Sequence, residues 1–397
     1  MITISGDCKR RQMKILMITW QFPPLAWGGV GSACFGIVQA LAERGIQTYL
    51  LIPWLRGGYY IISSAADLKD IHTRLQTDSS ERDVDFPSLE YSFSSTWDAE
   101  KLLEGVDFST IRLPRDFDII HCHDWITFPF ARKIKKVSGK PVLLHIHSLE
   151  PDRNPHFKNP FISRLENEAV SEADAVLCVS AFTKERLLEE YPAINAPVHI
   201  VYNGYYLPSE SYIDGPSGGR ETVILFLGRM TEQKGPDVLL HAAKKIVEYR
   251  KDTIFLFAGS GPMEPFLQQL NADSFNSDRI RFTGFVSHQQ AAFLLHKADI
   301  LVIPSISEPF SIAALEALSS GTVVLLPRRA GAAEIAESVI PMDPMRSEDI
   351  EAALNYLLDN PEVMNKLKQE GTEEAKNFSW RKSIDSLIAV YEKYVRR

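Results

Sequence analysis

Ser305 to Gly321 reads S-I-S-E-P-F-S-I-A-A-L-E-A-L-S-S-G. The apolar run before it, Ile300-Leu301-Val302-Ile303, is short, β-branched and bounded by Pro304, which predicts a buried parallel strand running into a loop. Ser311 or a neighbour is then placed to cap a helix whose Leu315 and Leu318 face inward. Glu308 falls in the loop at the carboxyl end of that strand and Glu316 on the helix, so two carboxylates border one crevice. Open α/β sheets bind ligands in such a crevice, and a helix amino terminus aimed into it favours phosphate through its free N–H groups and dipole. Carboxylates repel phosphate, so the glutamates are expected to accept hydrogen bonds from hydroxyl groups. A phosphate carried on a polyol meets both demands, and a nucleotide-sugar is such a molecule.

The same rhythm runs through the half of the chain that holds this stretch. Strands are predicted at Thr222–Leu227, Thr253–Ala258, Arg279–Thr283, Ile300–Ile303 and Thr322–Leu326, with helices at Pro236–Tyr249, Glu264–Leu270 and Gln289–His296 between them. Alternating strands and helices imply a parallel sheet with right-handed crossovers. Arg229 and Lys234, in G-R-M-T-E-Q-K-G after the first of these strands, set fixed positive charge and hydrogen-bond donors at that strand's carboxyl end. Gly259 lies in A-G-S-G-P, after the second of these strands. Closing helices are expected from Ser347 to Arg397, interrupted near Asn360-Pro361 and Ser379-Trp380.

In the other half, Met13–Thr19 reads as a buried strand, followed by a loop whose Gly28 and Gly29 let backbone approach a ligand before a helix that ends near Gly45. A second strand is expected at Gln47–Pro53. The next sixty or so residues, to Arg115, show no clear period and read either as a functional insertion or as a partly mobile segment. Asp83-Val84-Asp85 within it sits in no strand–loop context and is not read as a metal site. Phe117–His121 reads as a strand ending in His121-Cys122-His123-Asp124-Trp125. Alternation along a strand throws neighbours to opposite faces and no second cluster completes four ligands, so zinc is not expected there. Further strands are read at Pro141–Ile146, Ala175–Val179 and Val198–Tyr202, and helices at Glu166–Ala173 and, capped by Ser180, Ala181–Glu190.

With these motifs in order, the chain resembles the retaining, family 4 glycosyltransferases of the GT-B fold, on the branch adjoining bacterial glycogen synthases. E-P-F-x-I-x-x-L-E-A-L resembles that group's E-x7-E signature, G-R-x-x-x-x-K-G its diphosphate loop, and A-G-x-G-P and P-P-x-x-x-G-G-x-G its glycine turns. H-x-H-D-W is similar to the run that places Asp124 and Trp125 near the sugar or acceptor. His147-Ser148-Leu149-Glu150-Pro151-Asp152-Arg153 resembles H-S-T-E-x-D-R, with Leu149 in place of the usual threonine. The resemblance implies two Rossmann-like, doubly wound α/β domains facing across a cleft, with a C-terminal helix that crosses back to the first. It implies Glu308, His147, Arg229 and Lys234 in catalysis, and Gly28, Gly29, Arg229, Lys234, Gly259, Phe310, Ser311, Ile312 and Glu316 on the donor. Asp124, Trp125, Glu150, Asp152 and Arg153 are implied on the acceptor or sugar. The departures are Tyr205 and Tyr206 after Asn203-Gly204, Ser311 where relatives prefer glycine, and Arg328, Arg329 and Ala330 where they carry a small polar loop.

Composition bounds the reading. The chain has 397 residues, enough for two cores, with 45% hydrophobic and 24% charged residues. A net charge of -8 argues against a nucleic-acid partner. Cys8, Cys34, Cys122 and Cys178 form no C-x-x-C pair, which fits a reducing cytoplasm, and no apolar run approaches the length of a membrane span. The expected division is a tail at 1–12, an acceptor domain at 13–208, a linker at 209–219, a donor domain at 220–379 and the returning helix at 380–397. The expected reaction moves a hexosyl group, glucosyl by resemblance, from ADP-glucose or UDP-glucose to a glucan or other saccharide, with retention, no cofactor and no obligate metal. A lipid or small-molecule acceptor, with the basic run Arg132–Lys136 at a membrane surface, is an alternative, and a non-catalytic sugar-nucleotide or glucan-binding protein is another. A nicotinamide-dependent dehydrogenase is disfavoured because neither glycine loop has the G-x-G-x-x-G spacing.

Overall fold

The computed structural model describes residues 12–25, 28–53, 59–78, 103, 111–206, 221–272 and 277–395. The expected tail, apart from Gln12, the linker at 209–219 and the Asp83-Val84-Asp85 tripeptide lie outside them. In the first domain the strands are β1 (Lys14–Ile18), β2 (Gln47–Leu51), β3 (Tyr59–Ile62), β4 (Ile119–His123), β5 (Val142–Ile146), β6 (Ala175–Cys178) and β7 (Val198–Ile200). They form one sheet in the order β3-β2-β1-β4-β5-β6-β7, parallel throughout except that β3 runs antiparallel to β2. Its helices are α1 (Gly29–Glu43), α2 (Ala65–Asp78), α3 (Asp124–Ser138), α4 (Glu150–Arg153), α5 (Pro160–Glu172) and α6 (Ala181–Glu190). Local chemistry fixes their ends. Asn159 accepts from Phe161 N at 3.0 Å to open α5, Ser180 accepts from Thr183 N at 2.9 Å to open α6, and Gly139 closes α3 in a left-handed conformation.

Between β2 and β4 the sequence reading needs correction: the stretch read as aperiodic insertion holds β3 and α2. Tyr60 and Ile62 turn inward and Ile61 outward, an alternation four residues long, and Leu68, Ile71 and Leu75 form the buried stripe of α2 at helical spacing. Both signals are short and lie among polar residues.

The second domain has β8 (Thr222–Leu227), β9 (Thr253–Ala258), β10 (Ile280–Gly284), β11 (Ile300–Val302), β12 (Val323–Pro327) and β13 (Ile340–Met342), all parallel in the order β10-β9-β8-β11-β12-β13. Its helices are α7 (Pro236–Tyr249), α8 (Glu264–Ala272), α9 (His288–Lys297), α10 (Ile312–Ser319), α11 (Ser347–Asp359) and α12 (Pro361–Ala375). Each sheet is covered on both faces, so β4, β5 and β6 in the first domain and β11 and β12 in the second are buried along their whole length.

The last helix, α13 (Trp380–Val395), returns to the first domain. Trp380, Ile384, Leu387, Val390, Tyr391 and Tyr394 join the core cluster that holds Ile15, Met17 and Ile37. Tyr205, one of the two unexpected tyrosines, is buried where the chain crosses over. Its N–H donates to Phe378 O and its carbonyl accepts from Trp380 N, each at 3.2 Å. Tyr206 donates to Gly36 O at 3.1 Å.

Candidate active site

The carboxyl ends of both sheets open on one cleft, a cavity of about 650 Å³ lined from both domains. Glu308 is held in the loop after β11, 5% exposed. Its Oε2 accepts from Lys234 Nζ at 2.8 Å and from Ser305 Oγ at 2.7 Å. Lys234 ends a single 3-10 turn, Glu232–Lys234, and Arg229 stands exposed in the same cleft. The sequence reading gave Lys234 to the diphosphate and Glu308 to the sugar; the structure places them in direct contact. Ser305 is the partner that reading missed, although it lies three residues before Glu308.

Glu316 lines the cleft from α10 and has no hydrogen-bond or ion-pair partner for its carboxyl among the described residues. Burial pushes that carboxyl up to about 7. Phe310 is buried beneath the loop, and Ser311, Ile312 and Ala313 bring the amino end of α10 to the cleft. The expected cap is corrected here. Ser311 occupies the N-cap position but makes no side-chain cap bond, and its backbone is left-handed at φ 77°. That conformation suits glycine, which is the residue the resemblance led one to expect.

Two glycines show why the cleft has its shape. Gly259 has φ +130°, and a Cβ there would lie 1.9 Å from Gly228 O, so β8 and β9 turn into the cleft in backbone-to-backbone contact. A Cβ on Gly29 would meet nothing within 4 Å among the described residues, so the first turn of α1, with Gly28 as its N-cap, opens onto the cleft.

From the first domain, Asp124, Trp125, His147 and Arg153 reach the cleft. Asp124 Oδ1 accepts from His147 N at 2.8 Å, and burial raises its carboxyl to about 6 against the pull of the Arg153 guanidinium. Arg153 is anchored by Glu166, by Ser148 O at 2.8 Å and by Glu150 at 3.4 Å. Glu150 and Asp152, expected on the acceptor, do not line the cleft. Both are fully buried and used within the protein: Glu150 accepts from Asn154 Nδ2 at 2.7 Å and Asn159 N at 3.0 Å, and Asp152 from Leu149 N at 2.9 Å and Ser307 Oγ at 2.8 Å.

His147 belongs to a larger feature. The second cluster that the zinc argument found lacking is H-I-H on β5, because register sets His123 opposite His145. Period two then puts His121, His123, His145 and His147 on one face, all buried. His147 Nε2 lies 2.9 Å from His123 Nδ1, His121 Nε2 lies 3.2 Å from His145 Nδ1, and Tyr391 Oη of α13 lies 2.7 Å from His121 Nδ1. Burial drives the imidazoles toward the neutral form, His121 and His147 to about 3 and the other two well below the usual histidine range.

Arg132 pairs with Glu168 and Glu172 at 3.1 Å, and Lys135 with Asp174 at 2.7 Å, so these two members of the basic run face acids of the same domain. No helix among the described residues is long and apolar enough to cross a membrane.

Two α/β domains that face each other across one cleft are the architecture of the GT-B glycosyltransferases. Residues 27–207 match the model of Glycosyltransferase Family 4 and residues 214–374 that of Glycosyl transferases group 1; the chain is a family 4-like, glycogen-synthase-like member of that group. It is 28% identical to an uncharacterized glycosyltransferase of Methanocaldococcus jannaschii, over 96% of this chain and 98% of that protein. It is 23% identical to a glycogen synthase of Mycobacterium tuberculosis, over 96% and 94%. The sucrose-phosphate synthase of Thermosynechococcus elongatus shares its fold, with a TM-score of 0.69 at 18% identity over 96% of this chain and 99% of that one.

Proposed function

We propose that the protein transfers a glucosyl group from a nucleoside-diphosphate glucose to a glucan or related saccharide, with retention at the anomeric carbon. The observation that carries this reading is the convergence in one cleft of Arg229, the Lys234–Glu308 pair and the amino end of α10, opposite His147 and Asp124. The diphosphate lies against Arg229, Lys234 and the first N–H groups of α10, which stabilise the charge that develops as it leaves. Lys234 exchanges part of its contact with Glu308 for phosphate oxygen, which leaves the Glu308 carboxylate to accept from sugar hydroxyls. Glu316 accepts from the ribose. Phe285, 67% exposed beside Val286 on the same wall, offers the base an apolar face. His147, its Nε2 engaged by His123, meets the sugar with its other ring nitrogen.

The acceptor oxygen bonds to the anomeric carbon on the face from which the diphosphate departs. The bond from that carbon to the phosphate oxygen breaks, and the acceptor proton passes to the departing phosphate. The positive groups carry the leaving charge, so transfer needs no added divalent metal. The similarity to a protein named glycogen synthase supports the choice of sugar and acceptor.

Incubation with ADP-glucose and UDP-glucose against a panel of glucans and lipids, read by mass spectrometry and by NMR of the first product, tests the proposal. An α-linked glucosyl-saccharide, formed at a rate that magnesium or manganese changes less than about twofold, is expected. A β-linked product overturns retention, a glycolipid overturns the acceptor, and metal-dependent turnover overturns the role given to Arg229 and Lys234.

A further inference from the structure

The histidine stack extends well beyond the one ring that faces the cleft. His121, His123 and His145 each bring one ring nitrogen within 4.8 Å of the others, all buried. His123 Nδ1 is engaged by His147, and its other ring nitrogen, Nε2, has no hydrogen-bond partner among the described residues. A ring nitrogen left without a partner in a protein interior is costly, and a packed apolar side chain would avoid the cost. A hydrogen-bonding network alone does not account for the placement of His123.

We propose that His121, His123 and His145 bind one first-row divalent transition cation, of the zinc type, inside the first domain behind the glycosyl-transfer cleft. Neutral imidazole is the ligand form, and three histidines are a common protein share of a four-coordinate zinc whose last corner is water. Zinc–nitrogen bonds of about 2.0–2.1 Å set tetrahedral ligand atoms roughly 3.4 Å apart. His121 Nε2 and His145 Nδ1, at 3.2 Å, already have that spacing, and the third ring has to move by on the order of 1 Å to complete the set. His121 also has the outer partner that metal-bound histidines usually have. Its Nδ1 lies 2.7 Å from Tyr391 Oη, which turns Nε2 inward. His147, which lines the cleft and touches His123, marks the path of entry.

The site is built from β4, β5 and α13, so the ion ties the C-terminal helix to the centre of the first sheet. Cys34 with His123 and His147 forms a second group within the same reach. That group uses the ring assigned to the sugar, and it lacks the His121–His145 pair that already has the spacing of ligand atoms, so the all-histidine set is the one proposed.

The test uses the full chain, stripped with chelator, dialysed and titrated with Co²⁺. One equivalent is expected to give the intense visible absorption of four-coordinate cobalt, to be displaced by Zn²⁺, and Zn²⁺ is expected to raise the melting temperature. His121→Gln and His145→Gln, each checked by circular dichroism, should abolish the absorption, while Cys34→Ser keeps it. Tyr391→Phe should keep the stoichiometry but weaken Zn²⁺ binding at least about tenfold. The weak spectrum of six-coordinate cobalt in the wild-type chain overturns the proposal without any variant. So does absorption that survives His145→Gln, or that disappears with Cys34→Ser.

Discussion

Glu308 and Glu316 border the same crevice but stand in different electrostatic surroundings, and they should fail differently. Glu308 has Lys234 at 2.8 Å and Ser305 at 2.7 Å, whereas Glu316 has no carboxyl partner among the described residues. We predict that Glu308→Ala lowers kcat by about 10²-fold or more while nucleoside diphosphate still binds, because the lost contact is at the reacting sugar. Glu316→Ala should raise the donor KM about tenfold with a smaller change in kcat. Equal changes of both parameters in both variants would contradict the division. Glu316 also makes a prediction without substrate. Burial raises its carboxyl to about 7, so the folded chain holds that proton more tightly than the unfolded chain, whose glutamates titrate near 4.3. Its favourable contribution is therefore complete below about pH 4 and is lost as pH rises through about 7. Glu316→Gln should be more stable than wild type at pH 8, by on the order of 2 kcal/mol once partial exposure is allowed for, and should lose that advantage at pH 4. Denaturant midpoints at the two pH values measure it, and a pH-independent difference rejects it.

At the scale of the element, α10 carries an unusual feature at its start. Ser311 sits at φ 77°, where a side chain costs about 1–2 kcal/mol relative to a right-handed backbone. Glycine removes that strain but gives the unfolded chain about 0.4–1 kcal/mol of extra entropy. Ser311→Gly is expected to stabilise the protein by roughly 0.5 kcal/mol net, seen as a melting temperature higher by about 1 °C, and to retain activity. A lower melting temperature would show that Ser311 is held by something other than backbone geometry. Such a feature is invisible in sequence, since serine before a helix reads as a cap. What was legible were elements whose signal is long or repeated: eleven of the twelve strands and α-helices from Thr222 to Ala375 follow the apolar rhythm, and β13, only three residues long, does not. The E-P-F-x-I-x-x-L-E spacing likewise placed Glu308 and Glu316 at the cleft. The histidine stack was not legible, because His123 and His145 become neighbours through strand register across twenty-two residues of chain. The internal bonds of Glu150 and Asp152 were not legible for a related reason. A carboxylate next to a site motif looks the same in sequence whether it faces a ligand or caps a buried turn.

At the scale of the whole molecule, the two domains are joined by polar contacts as well as by the returning helix. Glu334, in the loop after β12, caps a helix that belongs to the other domain. Its carboxylate accepts from Ala181 N at 2.8 Å and Phe182 N at 2.6 Å, at the amino end of α6, and from Tyr202 Oη at 3.0 Å. Ser180 Oγ donates to Pro309 O at 2.7 Å, and Ser307 Oγ donates to Asp152 at 2.8 Å. Contacts of this kind are satisfied by water when the domains part, so interdomain motion is the default for a polar interface. A carboxylate at a helix amino terminus, with charge-assisted bonds to two free N–H groups, is worth about 1 kcal/mol of closure. Removing it should shift the balance between closed and open forms about fivefold. We therefore predict that Glu334→Ala gives a larger radius of gyration by small-angle scattering without donor. It should also lower kcat/KM about fivefold, and saturating nucleoside diphosphate should restore the compact form, because ligand bound across the cleft favours closure. Wild-type scattering combined with impaired kinetics would instead assign Glu334 to the donor itself, and unchanged behaviour in both would mean that Ser180, Ser307 and α13 hold the domains without it.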